Sequence, residues 1–334
     1  MPFNRNHIFN LSVSAAIIPF LLFLAIFCFP VSTHAISKLG CFGAAAAEYA
    51  VPGLGYAITR QWDKAIVFGG TRWVALSHYY ESSQSEYYQE EADDIYEEID
   101  ADDSESGNPV TRVSLTKETW NAQYWGNLYG NVLFMSWGDF YENGCQSNTE
   151  TYSYLLSPFR IDHFYKKWQF WLPVVLVMGN YAYNDDETEV EYYLYRGLKE
   201  SDLRRDSFSE YYMVGVGEEM FFRGVVQHFF FDLLKDNWQL SPGASRHLSI
   251  LGASTVFALA HSGAGFTASP ATAFLFGLYE GYVYHPSLDE FDLMTAIAIH
   301  AWWDILVTYT ILNSAKFHEE EEIEVPIMKI GFRF

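Results

Sequence analysis

Residues 214–224 read VGVGEEMFFRG, an apolar, glycine-rich stretch whose only charges are Glu218, Glu219 and Arg223. In a helix buried in lipid, each such group costs roughly 2.5–3.5 kcal/mol on insertion scales. Helices tolerate that cost where the groups face a protein interior or a water-filled cavity and find partners there. At 3.6 residues per turn, Glu219 and Arg223 share a face, whereas Glu218 lies about 100° round the helix. The spacing therefore predicts that Glu219 neutralises Arg223 and that Glu218 points elsewhere, available as a general base or acid.

Two later apolar stretches repeat the pattern. STVFALAH (254–261) ends on His261, with Phe257 one turn before it, and AIAIHAWWD (296–304) places His300 and Asp304 four residues apart on one face. Any one of these signals has a plain structural reading: an internal ion pair, a satisfied core histidine, a helical hydrogen-bonded pair. Together they would require three separate excuses for polar groups in adjacent apolar helices. One acid and two imidazoles from neighbouring helices can converge on a point that holds an attacking water or a metal. The composition is that of an active site inside a membrane.

Half of the 334 residues are hydrophobic, yet the mean hydropathy is near zero. Residues 81–106 contain 12 acidic residues and no basic one, and shorter acidic runs lie at Asp185–Glu191 and Glu319–Glu324. The net charge of −22 therefore belongs to solvated loops. It argues against nucleic acid as a partner. Aromatic clusters at 120–130, 166–171 and 300–304 resemble the Tyr/Trp belts that collect at membrane–water interfaces.

The chain divides by composition. Residues 1–35 read as a signal peptide or an uncleaved N-terminal helix, with Thr33-His34-Ala35 as a small-residue end. Residues 36–80 read as an apolar helical hairpin, broken at Pro52-Gly53-Leu54-Gly55 and turning at a polar Arg60–Lys64 corner. Residues 81–118 form an acidic, flexible segment, 119–207 membrane or interface helices with polar loops, and 314–334 an acidic run and tail. With the signal removed, Cys41 and Cys145 remain and could bridge in an oxidising compartment. Four apolar segments occupy 208–313, at about 208–231, 248–263, 268–285 and 292–313, with breaks at Pro242-Gly243, Ser269-Pro270 and His285-Pro286. The expected fold class is all-α: a polytopic helical membrane protein with a four-helix catalytic core. A β-barrel needs many alternating strands of about ten residues, which the helical runs exclude.

EEMFFRG, FALAH and HAWWD, in that order, resemble the three motifs of the CAAX-processing and bacteriocin-processing (CPBP) intramembrane proteases. The segment FLFGLYEGYVYHPS (274–287) is also similar to that family, and the likeness covers 208–313. The resemblance implies a multi-pass integral membrane endopeptidase, placed in the bacterial inner membrane, that cleaves a membrane protein or peptide within the lipid bilayer. It implies that Glu218 activates a water, His261 orients that water and assists proton transfer, and His300 with Asp304 stabilises the oxyanion. Glu219, Arg223 and Phe257 would support them. No cofactor is then required. The alternative is a zinc site on His261, His300 and Glu218, although the first motif lacks a His-x-x-x-His pair. A third reading is a catalytically silent membrane scaffold or assembly protein. Asp304 stands where some members carry Asn; its carboxylate would repel an oxyanion unless protonated or used to orient His300.

Overall fold

The computed structural model describes residues 35–89, 95–99, 109–143, 150–183, 189–261 and 270–320. The signal segment, residues 90–94 and 100–108 of the acidic segment, Cys145 and the tail beyond 320 lie outside these residues. The principal helices are α1 (Ala35–Ala50), α2 (Gly70–Ser83), α3 (Lys117–Asn143), α4 (Trp168–Tyr183), α5 (Glu200–Glu219), α6 (Pro242–Ala260), α7 (Pro270–Tyr284) and α8 (Leu293–Ser314). α5 does not stop at Glu219: a π-helical turn (Met220–Gln227), an α turn (His228–Asp232) and a second π turn (Leu233–Asn237) carry it on. The helix starts follow local chemistry. Ser241 caps α6 by accepting from the Ala244 amide, with Pro242 in the first turn, where a missing N–H costs nothing. Asp292 caps α8 by accepting from the Thr295 amide.

The all-α expectation is corrected by a four-stranded sheet in the order β1 (Tyr96–Ile99), β2 (Val110–Thr116), β3 (Glu189–Tyr195), β4 (Lys316–Glu319). β1 pairs antiparallel with β2, while β2–β3 and β3–β4 are parallel. The strands bury a small core of their own: Ile95, Val113, Leu115, Tyr192 and Leu194 pack with Trp120 of α3, Leu203 of α5 and Leu312 of α8. The sheet thus caps the bundle at the start of α5 and the end of α8. In β3, EVEYYLY, the alternation turns Val190, Tyr192 and Leu194 to the small core and leaves Glu189, Glu191, Tyr193 and Tyr195 on the other side.

The N-terminal hairpin turns where Gly53 adopts φ 83°. Its amide and that of Gly55 donate to Glu48, at 2.9 and 3.2 Å. Arg72 of α2 completes this buried knot through Glu48, 3.1 Å away. Lys64 is not part of a polar surface corner. It is buried against Asp139 of α3, at 2.7 Å, so one ion pair shielded from solvent pins the hairpin to the bundle, while Arg72–Glu48 ties the two halves of the hairpin together. Cys41 is disulfide-bonded, its partner lying outside the described residues.

α5 and α8 run antiparallel along their length. Arg204 donates to the Leu312 carbonyl near one end, and Gly215 abuts Ala301 further in. That register brings Glu218 and Glu219 level with His300. The main core, which includes Val216, Met220, Phe221, Val225, Phe257 and Ile297, surrounds this crossing. Among the described residues, α8 is the one helix both long and apolar enough to cross a membrane by itself, with a mean hydropathy of 1.3; Trp168–Gly179 is a shorter apolar stretch.

Candidate active site

Two glycines set the position of the paired glutamates. A Cβ on Gly215 would sit 2.4 Å from the Ala301 amide nitrogen, and one on Gly217 would sit 2.7 Å from the Asn131 carbonyl oxygen. Side chains at either position would force α5 away from α8 or from α3. Small residues permit this close approach of backbones. The π turn begins directly after Glu219; such widened turns recur at functional sites.

The structure brings all seven residues singled out by sequence into one cluster. Glu218 Oε2 lies 3.3 Å from His261 Nε2 and 3.9 Å from His300 Nε2. His300 Nδ1 lies 2.7 Å from Glu219 Oε1, and its Nε2 lies 3.4 Å from Asp304 Oδ2. Arg223 Nε lies 3.2 Å from Glu219 Oε2, as the four-residue spacing requires, but without the alignment of a hydrogen bond. The Arg223 guanidinium also lies 4.9 Å from the centre of the Phe257 ring. Phe257 lies against His261 with 4.1 Å between ring centres and the planes tilted by 35°, and its carbonyl lies 2.8 Å from His261 Nδ1.

These contacts assign the imidazole protons. A carbonyl only accepts, so His261 Nδ1 carries the hydrogen and its Nε2 is directed at Glu218. Likewise Glu219 accepts from His300 Nδ1, leaving Nε2 directed at Asp304 and Glu218. Exposure divides the cluster into a face and a backing. The side chains of Glu218, His261 and Asp304 are 15–21% exposed, whereas His300 is 4% and Glu219 and Arg223 are 0% exposed. Glu219 and Arg223 are therefore sealed from solvent, with Glu219 in contact with His300.

Metal ligation needs every donor atom about 2.0–2.3 Å from one point. Among the described residues no group of three His, Cys, Asp or Glu side chains is so arranged.

Four residues at the site had no role in the sequence reading. Phe276 of α7 meets His300 edge-on, with ring centres 5.3 Å apart. Gly215 and Gly217 could have been found, since the GVG spacing directly precedes the two glutamates. Glu280 of α7 is fully buried within electrostatic range of Glu219, Arg223, His300 and Asp304. It stands alone as an acid in FLFGLYEGYVY, which is the same insertion argument that singled out Glu218.

Residues 207–306 match the family model of the Type II CAAX prenyl endopeptidase Rce1-like proteins. The match spans all three motifs and agrees with the resemblance they carry. No curated protein and no solved structure matches the chain.

Proposed function

From the likeness of residues 207–306 to the Rce1-like endopeptidases, we propose that this protein is an intramembrane endopeptidase that hydrolyses a membrane-associated protein or peptide by a glutamate-activated water. The observation that carries the reading is the position of the Glu218 carboxylate, between the Nε2 atoms of His261 and His300. A water held there donates one hydrogen to Glu218 and the other to His261 Nε2, which leaves a lone pair aimed outward at a carbonyl carbon. Glu218 takes the proton as the C–O bond forms, then passes it to the amine nitrogen as the C–N bond breaks. His300 Nε2–H faces the oxygen on which charge develops, and Glu219 behind it supports the imidazolium. Asp304 holds that same N–H in the resting state and orients the ring.

Glu218 and the two imidazoles belong in a bilayer on a further ground. The helices around them turn apolar side chains outward: Leu248, Leu251 and Leu259 on α6, Leu275 on α7, and Val175 and Leu176 on α4 are all exposed. Patches of this kind face lipid or a partner rather than water. That belt supports a multi-pass arrangement with the sheet at one membrane surface. The acidic loops weigh against nucleic acid.

The deciding experiment is Glu218→Gln in purified, folded protein. It keeps the shape and removes the base, and cleavage of a native membrane substrate should fall by roughly 10²–10⁴-fold. Undiminished cleavage would defeat the reading. A cellular role that survives loss of both Glu218 and His300 would favour the scaffold instead.

A further inference from the structure

Arg223, Gln227 and Glu280 leave an unusual number of buried polar atoms without protein partners. All three side chains are 0% exposed. Both terminal nitrogens of Arg223, Oε1 of Gln227 and both carboxylate oxygens of Glu280 have no hydrogen-bond partner. They share one seam. Gln227 lies one turn beyond Arg223, and its Nε2 donates at 3.0 Å to the carbonyl of Gly281, the residue after Glu280. Arg223 and Glu280 lie within electrostatic range of each other but form no ion pair within 4.0 Å. Leaving one such group unsatisfied costs about 1–3 kcal/mol, and more for a charged one. Five together would undo a large part of a domain's stability, which is roughly 5–15 kcal/mol.

We propose that this seam between the π turn and α7 is a buried water-binding site, separate from the Glu218 water, and that Glu280 is a positioning residue acting through it. Water is the ligand whose size and paired donors and acceptors suit a buried guanidinium, amide oxygen and carboxyl left without protein partners. Through it Glu280 holds the terminal nitrogens of Arg223, Arg223 stays beside Glu219, and Glu219 stays on His300 Nδ1. Glu280 itself, with no exposed surface, does not meet substrate. Its effect on turnover rests on the endopeptidase reading, whereas its effect on stability does not.

The test compares Glu280→Leu and Glu280→Gln in the full-length purified protein, by thermal unfolding and by kcat and KM. Leucine removes every polar atom and takes away the acceptor that holds the water against the terminal nitrogens of Arg223; glutamine keeps the shape and can still hydrogen-bond water. The expected result is a lower unfolding midpoint for leucine and a kcat reduced about tenfold or more at unchanged KM, equivalent to about 1.4 kcal/mol. Glutamine should recover most of both. A leucine variant that fails to accumulate beside a glutamine variant that does counts the same way. An unchanged or raised midpoint for leucine would overturn the proposal, because a dry, unpaired carboxyl is relieved by an apolar replacement. Glutamine as damaged as leucine, or a change in KM alone, would also overturn it. If Glu218→Gln retained cleavage, the endopeptidase reading would fail while the unfolding comparison still judged the seam.

Discussion

His300 Nδ1 and Glu219 Oε1 are 2.7 Å apart, and this contact links the imidazole beside Glu218 and Asp304 to a carboxylate sealed from solvent. Glu219 thereby fixes which imidazole nitrogen carries the hydrogen and supports the ring when it is charged. It is also the nearest anion to Arg223, which is fully buried. Removing it has two separable consequences. Glu219→Ala leaves Arg223 as an uncompensated charge and should destabilise the fold by about 3–5 kcal/mol. Glu219→Gln still accepts from Nδ1 but lacks the charge. It should fold better than the alanine variant and yet turn over about tenfold or more slowly at similar KM. Unfolding curves and steady-state kinetics on the pair separate the two roles; equal loss of stability in both would reject the distinction.

Gly215 and Gly217 make a steric prediction independent of chemistry. A methyl at Gly215 would contact Ala301 backbone, next to His300, and one at Gly217 would contact Asn131 backbone. Neither obstacle is a flexible side-chain tip. Each Gly→Ala should cost about 1–3 kcal/mol by overpacking, despite the better helix propensity of alanine. Thermal unfolding of the single variants checks this, and stabilisation of either would contradict the close approach.

Asp292 predicts how stability depends on pH. Burial pushes its carboxyl up, but hydrogen bonds from His163, Lys167 and Thr295 outweigh that and hold it below the ordinary carboxylate range. Lys167 Nζ lies 2.5 Å from Oδ2 and His163 Nε2 lies 3.0 Å from Oδ1, tying the start of α8 to the segment before α4. A carboxyl depressed in the folded state contributes stability above its unfolded value near 4, and that contribution is lost as pH falls through the folded value. The unfolding midpoint should therefore drop below about pH 4 more in wild type than in Asp292→Asn. At pH 7 the asparagine variant, which can still cap α8 but lacks the ion pair to Lys167, should already be about 1 kcal/mol less stable. Parallel pH curves would reject the clamp.

Much of the site was legible because its signals are local. Four-residue spacings fixed Glu219 with Arg223 and His300 with Asp304, and both pairs meet at 3.2 and 3.4 Å. Their convergence with His261 followed from the cost of burying charge in three adjacent helices. The sheet was less legible because its partners are distant in sequence: β2 pairs with residues near 190, and β3 with residues near 316. Strands such as YEEI and KFHE are four residues long and charged, so composition assigns them to loops. Lys64 misled for the opposite reason. Nothing within its own segment announces Asp139, 75 residues away, as the partner that lets it be buried.

Asp304 tests the division of labour at the reacting face. It lies 3.4 Å from His300 Nε2 and is 21% exposed, so a substrate oxygen approaching that N–H must displace or pass a carboxylate. A negative group there orients the ring but opposes a developing oxyanion. Asp304→Asn removes the opposing charge, keeps an acceptor for His300 and adds an N–H that can donate to the oxyanion. Turnover should be maintained or raised at neutral pH. Asp304→Ala removes the orienting contact as well and should lower kcat about tenfold. The comparison is made by steady-state cleavage with KM measured for each variant. A severe loss in the asparagine variant would mean that the Asp304 charge itself takes part in the reaction, and would require the roles of Asp304 and Glu218 as bases to be reassigned.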